Sequence, residues 1–255
     1  MLRSFVRNAM AKDEGLSSDT QDRTFGVASL ASGVLNTARA VVDRCGAKDI
    51  DSGYVLARTL VERSINFAYL AVCPDSEYQR WLAHGRQKGY RLLDRTKSAG
   101  SQVFRIGLTD LPPSDAIPGL TDDLRTFTSA RGGENTRWTD VKLDDRLGAI
   151  ENTIDHADRA VLFLLMASTH CYEIGAEAQH GTFFGVGFRH GLMQGPREDV
   201  DSHVGLLMLS AVLCVYSCLI VMAALVKDGD VYTEATRAFD KFGAVAEVFI
   251  ERESP

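Results

Sequence analysis

Residues 204–226 read VGLLMLSAVLCVYSCLIVMAALV, an uncharged run that restricts the fold more than any other part of the chain. A helix apolar on every side is stable only inside a large core or across a membrane, and about 20 apolar residues span a hydrocarbon layer of about 30 Å. Ser210, Cys214, Ser217 and Cys218 interrupt the run at roughly helical spacing. It carries no aromatic belt, and its flanks are acidic on both sides (Glu198, Asp199 and Asp201 before it, Asp228 and Asp230 after it) rather than basic. The expectation is therefore a central core helix, with membrane anchoring the weaker reading.

A chain of 255 residues that is 45% hydrophobic can enclose such a helix. Runs of alternating β-branched residues bounded by tight turns are almost absent, while helical periodicity recurs from Phe25 onward. The reading is an all-α fold, a single bundle of about seven or eight helices. Helices are expected over 25–45, 51–73, 76–97, 120–131, 142–153, 155–181, 200–227 and 230–251. Residues 1–24 read as an arm or short helix ahead of a 25–255 bundle domain. Over 98–141, LPPSDAIP and ARGGENTRW punctuate an irregular excursion poor in periodic apolar residues.

The formal charge of −6 gives no general attraction to phosphate polymers, so a nucleic-acid contact would need a local patch. Five cysteines without a CxxC, four of them inside apolar helical runs, suit small buried thiols in a reducing compartment. The N-terminal MLRSFVRNAMAKDEG lacks the apolar core and cleavage site of a secretory signal, so a cytoplasmic location is expected.

Candidate chemistry begins at LARTLVERSINFAYL, where Arg58, Glu62 and Asn66 repeat every four residues and Tyr69 follows, sharing one helical stripe. Apolar residues cover the opposite side, so the stripe should be buried. It then serves either as a hydrogen-bonded lock on bundle register or as a polar site. In HCYEIGAEAQHG, His170, Glu173, Glu177 and His180 share a second stripe. Glu177 and His180 form the E-x-x-H of carboxylate-bundle metal sites, but no second E-x-x-H completes one. The ordinary explanation is a solvated face, and no metal set or cofactor is assigned.

Arg58, Glu62 and Asn66 as R-x3-E-x3-N, Trp138 before a short helix, and Tyr172 followed by His180 and Gly181 together resemble a bacterial family of all-helical proteins known only as a domain of unknown function. The resemblance covers roughly residues 25 to 230 and implies that the two stripes face each other. Arg58, Glu62, Asn66, Tyr172, Glu177 and His180 are then the candidate site residues. The family pattern has a serine between the tyrosine and the histidine. This chain has Gly175 and Ala176 there, so no hydroxyl role carries over.

Two further signals concern nucleic acid. Arg80, His84, Lys88, Arg91 and Arg95 line one face of EYQRWLAHGRQKGYRLLDRTK, either a solvated surface or a docking strip for RNA or an acidic partner. Arg197 and His203 are spaced in a way similar to the Arg-x4-6-His element of HEPN-type ribonucleases, which implies RNA cleavage at a dimer interface; a polar helix start is the ordinary explanation. The glycines of HGTFFGVGFRHGLMQG miss the dinucleotide fingerprint and read as a loop. The protein so read is an uncharacterised soluble bundle with a polar cluster. An RNA-directed effector, a metal-dependent carboxylate-bundle enzyme and a membrane-anchored interaction protein are its alternatives, and self-association stays open.

Overall fold

A computed structural model describes residues 18–108, 110–154, 157–182 and 200–226, together with Thr233 and Arg237. The described residues form seven α-helices and one small hairpin: α1 (Ser18–Gly46), α2 (Ile50–Val72), α3 (Asp75–Leu93), β1 (Asp94–Ala99), β2 (Gln102–Gly107), α4 (Leu120–Thr126), α5 (Leu143–Thr153), α6 (Asp158–His180) and α7 (Val200–Val226). They group into two compact units, one from residues 1–72 and 143–255 and the other from 73–142.

The first unit is a helical bundle in which α2 packs against α1, α5, α6 and α7. Its sequence explains why α2 is central: Tyr54, Ala57, Leu60, Val61, Ile65, Phe67, Ala68 and Leu70 are buried around most of its circumference. Helix α1 offers a narrower stripe, with Ala28, Ala31, Val34, Ala38, Val41 and Cys45 buried at three- and four-residue intervals. Among the described residues α7 is the one helix long and apolar enough to cross a membrane, and 56% of its apolar window is buried within the chain.

The polar interruptions of α7 face protein partners. Ser217 Oγ donates to Leu213 O at 2.8 Å and Ala160 O at 3.0 Å, and Cys171 Sγ lies 3.1 Å from Ser210 Oγ. Ser217 meets α6 where Ala160, Phe163, Tyr216, Leu219 and Ile220 pack, and Ser210 meets it further along, at Cys171. All five cysteines are buried and free. Burial pushes the Cys171 thiol up to about 11 and the Cys218 thiol up to about 12, so neither is a thiolate near neutral pH.

The second unit corrects the sequence reading in two places. The helix expected over 76–97 ends at Leu93, and the chain turns into an antiparallel hairpin pairing Asp94 with Gly107 and Ala99 with Gln102. Gly100, at φ 58°, supplies the positive dihedral that the two-residue turn requires, and Val103, Phe104 and Ile106 suit a pleated strand. The basic periodicity that extended the helix through Arg95 runs past the helix end at Leu93 into β1. The helix expected over 120–131 likewise stops at Thr126. The expected helix over 230–251, the glycine-rich loop around Gly185 and Gly187, and Arg197 lie outside the described residues.

Candidate functional site

The two polar stripes meet in the first unit. Tyr172 Oη on α6 donates to Glu62 Oε1 on α2 at 2.9 Å, and Arg58 Nη2 lies 3.7 Å from the same oxygen. The Arg58 guanidinium also sits 4.9 Å from the Tyr172 ring centre and donates through Nη1 to Gln179 Oε1 at 3.0 Å. This cation over an aromatic face adds an attraction that neither group makes in water.

Gly175 makes the meeting possible. A Cβ there would lie 2.5 Å from the Tyr54 carbonyl oxygen and 2.7 Å from Arg58 Cβ, so the backbones of α2 and α6 touch at this position. The absence of a side chain brings Tyr172 and Gln179, on either side of it in α6, within reach of the α2 stripe.

A residue outside both stripes completes the arrangement. Arg146 on α5 donates through Nη1 to Asn66 Oδ1, so Asn66 joins the cluster through a partner that its spacing did not indicate. Burial pushes the Arg146 guanidinium below its usual range, while Tyr172, Tyr69 and Glu62 act in the opposite sense. Neither Arg146 Nε nor Arg58 Nε, both buried, has a hydrogen-bond partner among the described residues. Two guanidiniums thus share the neighbourhood of one carboxylate. Arg146 stands alone on an acidic amphipathic helix, LDDRLGAIENT, in which nothing in the spacing distinguishes it from a solvated charge.

The expectation of a fully buried cluster needs correction: the Glu62 side chain is 44% exposed and that of Arg58 19%. The stripe lies at the rim of the contact between α2, α5 and α6, where the carboxylate keeps part of its hydration instead of bearing the full cost of desolvation. The other members of the second stripe do not join it. Glu177 accepts a hydrogen bond from Thr182 Oγ1 beyond the end of α6, while Glu173 and His180 are exposed. Among the described residues no three His, Cys, Asp or Glu side chains are grouped to hold a metal ion.

Four of the five residues of the basic stripe lie on α3 in the second unit, most of them engaged there. Arg80 donates to Trp138 O at 2.8 Å and to Asp140 at 3.1 Å, and Lys88 pairs with Glu134 at 2.8 Å. Arg91 donates to Gln87 Oε1 at 2.7 Å and Thr128 Oγ1 at 2.6 Å, and His84 packs edge-on to Phe127 with ring centres 5.1 Å apart. Arg95 is not on this helix but on β1, where it is exposed. Of the Arg197 and His203 pair, His203 is described: its Nδ1 lies 2.9 Å from Tyr54 Oη at the start of α7.

A family model described as a family of unknown function (DUF5677) matches residues 25–157. The matched segment includes Arg58, Glu62, Asn66 and Arg146 and ends before α6. No curated protein and no solved structure matches the chain.

Proposed function

We propose that this chain, which belongs to the family of unknown function (DUF5677), binds a small ligand bearing an oxyanion, a phosphate or a carboxylate, at Arg58 and Arg146. The observation that carries the reading is Arg146. A partly buried guanidinium whose one hydrogen bond goes to a neutral amide, with no carboxylate in ion-pair range among the described residues, is unfavourable unless an anion completes it. Guanidinium is suited to that task, since its planar donors engage two oxygens of a carboxylate or phosphate at once.

Glu62 has the complementary role. Held by the Tyr172 hydroxyl, it presents a partly hydrated carboxylate beside the two cations, able to accept a hydrogen bond from a hydroxyl or amine on the same ligand. A nucleic-acid or acidic partner at Arg80, His84, Lys88, Arg91 and Arg95 has less support, because Asp140, Glu134, Gln87 and Thr128 already occupy three of those cations. Glu177 and His180 have no place in the anion site as drawn. Five free buried thiols and an apolar helix mostly covered by its own chain favour a soluble, cytoplasmic protein.

Calorimetric titration of the full chain with inorganic phosphate and with citrate tests the proposal. One of the two should bind, and Arg146→Met should weaken binding at least about tenfold, equivalent to about 1.4 kcal/mol. The same variant should be no less stable than the parent, because it removes a charge whose burial outweighs the attraction of Glu62 and the tyrosines. A parent chain that binds neither anion, or an Arg146→Met chain that unfolds, would assign Arg146 to structure alone.

A further inference from the structure

The hairpin of the second unit is independent of the anion site and has its own chemistry. Val103, Phe104, Ile106 and Leu108 are between 60% and 70% exposed. A two-stranded ribbon is marginal in water, and exposed β-branched and aromatic residues on an open strand favour pairing with a further strand. We propose that β2 pairs antiparallel with β2 of a second copy of this chain, forming a four-stranded sheet across a two-fold axis at Phe104.

The hydrogen-bond pattern selects this edge and register. Leu108 N–H donates to Leu93 O at 3.0 Å, and the alternation of an antiparallel ladder then turns Gln102, Phe104 and Ile106 toward β1. The backbone N–H and C=O of Val103, Arg105 and Gly107 consequently line the outer edge. An axis at Phe104 matches Val103 with the partner's Arg105 as hydrogen-bonded pairs. It brings Phe104 against the partner's Phe104 in a non-hydrogen-bonded pair, the closer approach for side chains.

Charge permits self-pairing at β2 and opposes it at β1. The one charge on β2, Arg105, is neutralised within the hairpin by Asp94 through two bonds at 2.9 and 2.8 Å, so no like charges oppose each other in this register. A β1 edge paired with itself at Thr96 would set Arg95 against the partner's Lys97 twice, the kind of charged guard that keeps an edge single. An isologous contact of this kind closes at two copies and does not propagate.

Sedimentation of the full chain at micromolar concentration should give the mass of two copies, falling to one on dilution. Phe104→Lys places two ammonium groups across the axis and should halve the mass at the same concentration, as should Phe104→Glu. Mixing the two variants should restore the two-copy species through opposite charges. Leu162→Lys, which alters an exposed apolar residue on α6, should leave it unchanged. The proposal is overturned if the parent remains a single chain at these concentrations, if Phe104→Lys keeps the double mass, if the mixed variants stay apart, or if Leu162→Lys dissociates the pair.

Discussion

Gly175 carries more of the geometry than any charged residue, because the distance between α2 and α6 depends on what it lacks. Its absent Cβ would strike the Tyr54 carbonyl, a backbone atom that cannot rotate away. Gly175→Ala should therefore destabilise the chain by about 1–3 kcal/mol, the usual cost of overpacking, and should lower anion affinity by moving Tyr172 away from Glu62. Gly53 provides the contrast: a Cβ there would meet Leu207 Cδ1 at 2.7 Å, the end of a side chain that can change rotamer. Gly53→Ala should cost less than about 1 kcal/mol, since better helix propensity offsets the contact. Urea denaturation of the two variants beside the parent checks the difference. From sequence Gly175 was only a departure from a family pattern, because a missing side chain leaves no signal of the backbone that fills its place.

At the scale of elements, α3 uses its cations to hold the chain that follows it. Besides the bonds of Arg80, Lys88 and Arg91, Arg86 grips the buried Asp123 at 2.7 and 3.1 Å. His84 sits among these groups, its pKa lowered first by burial and then by Lys88 and Arg80, with Glu134 and the Thr136 backbone acting in the other direction. A histidine with a depressed folded pKa binds its proton more readily when unfolded, so its contribution is present above the ordinary value of 6.5. That contribution is lost as pH falls through 6.5 toward the folded value. Amide exchange in α4 should accelerate relative to α2 over this window, and His84→Phe should remove the difference. The basic period was legible in the sequence. Its use was not, because the acceptors Glu134, Asp140 and Thr128 lie in an irregular segment whose path no periodicity encodes. The same limit produced the misplacement of Arg95, since the helix that its spacing suggested ends at Leu93 and the chain continues as β1.

At the scale of the whole molecule, α7 governs how the protein behaves in water. Its serines and Cys171 satisfy one another or backbone carbonyls against α6, an arrangement suited to a packed core. Expressed without detergent, the chain should remain in the supernatant after high-speed centrifugation; recovery only from carbonate-washed membranes would reverse that reading.

The sequence by itself determined that the described chain is predominantly helical, where most of its long helices run, that the 204–226 run is helical, and that Arg58 and Glu62 face α6. The helical readings follow from local periodicity, which depends on bonds between residues four apart and on which face must leave water, while the facing of the stripes was implied by the family resemblance. Only the tertiary structure decided that Arg146 completes the cluster, that Glu177 and His180 stand outside it, and that Glu62 keeps part of its water. These depend on which residues distant in the chain meet and at what depth, and a single helix period leaves both open.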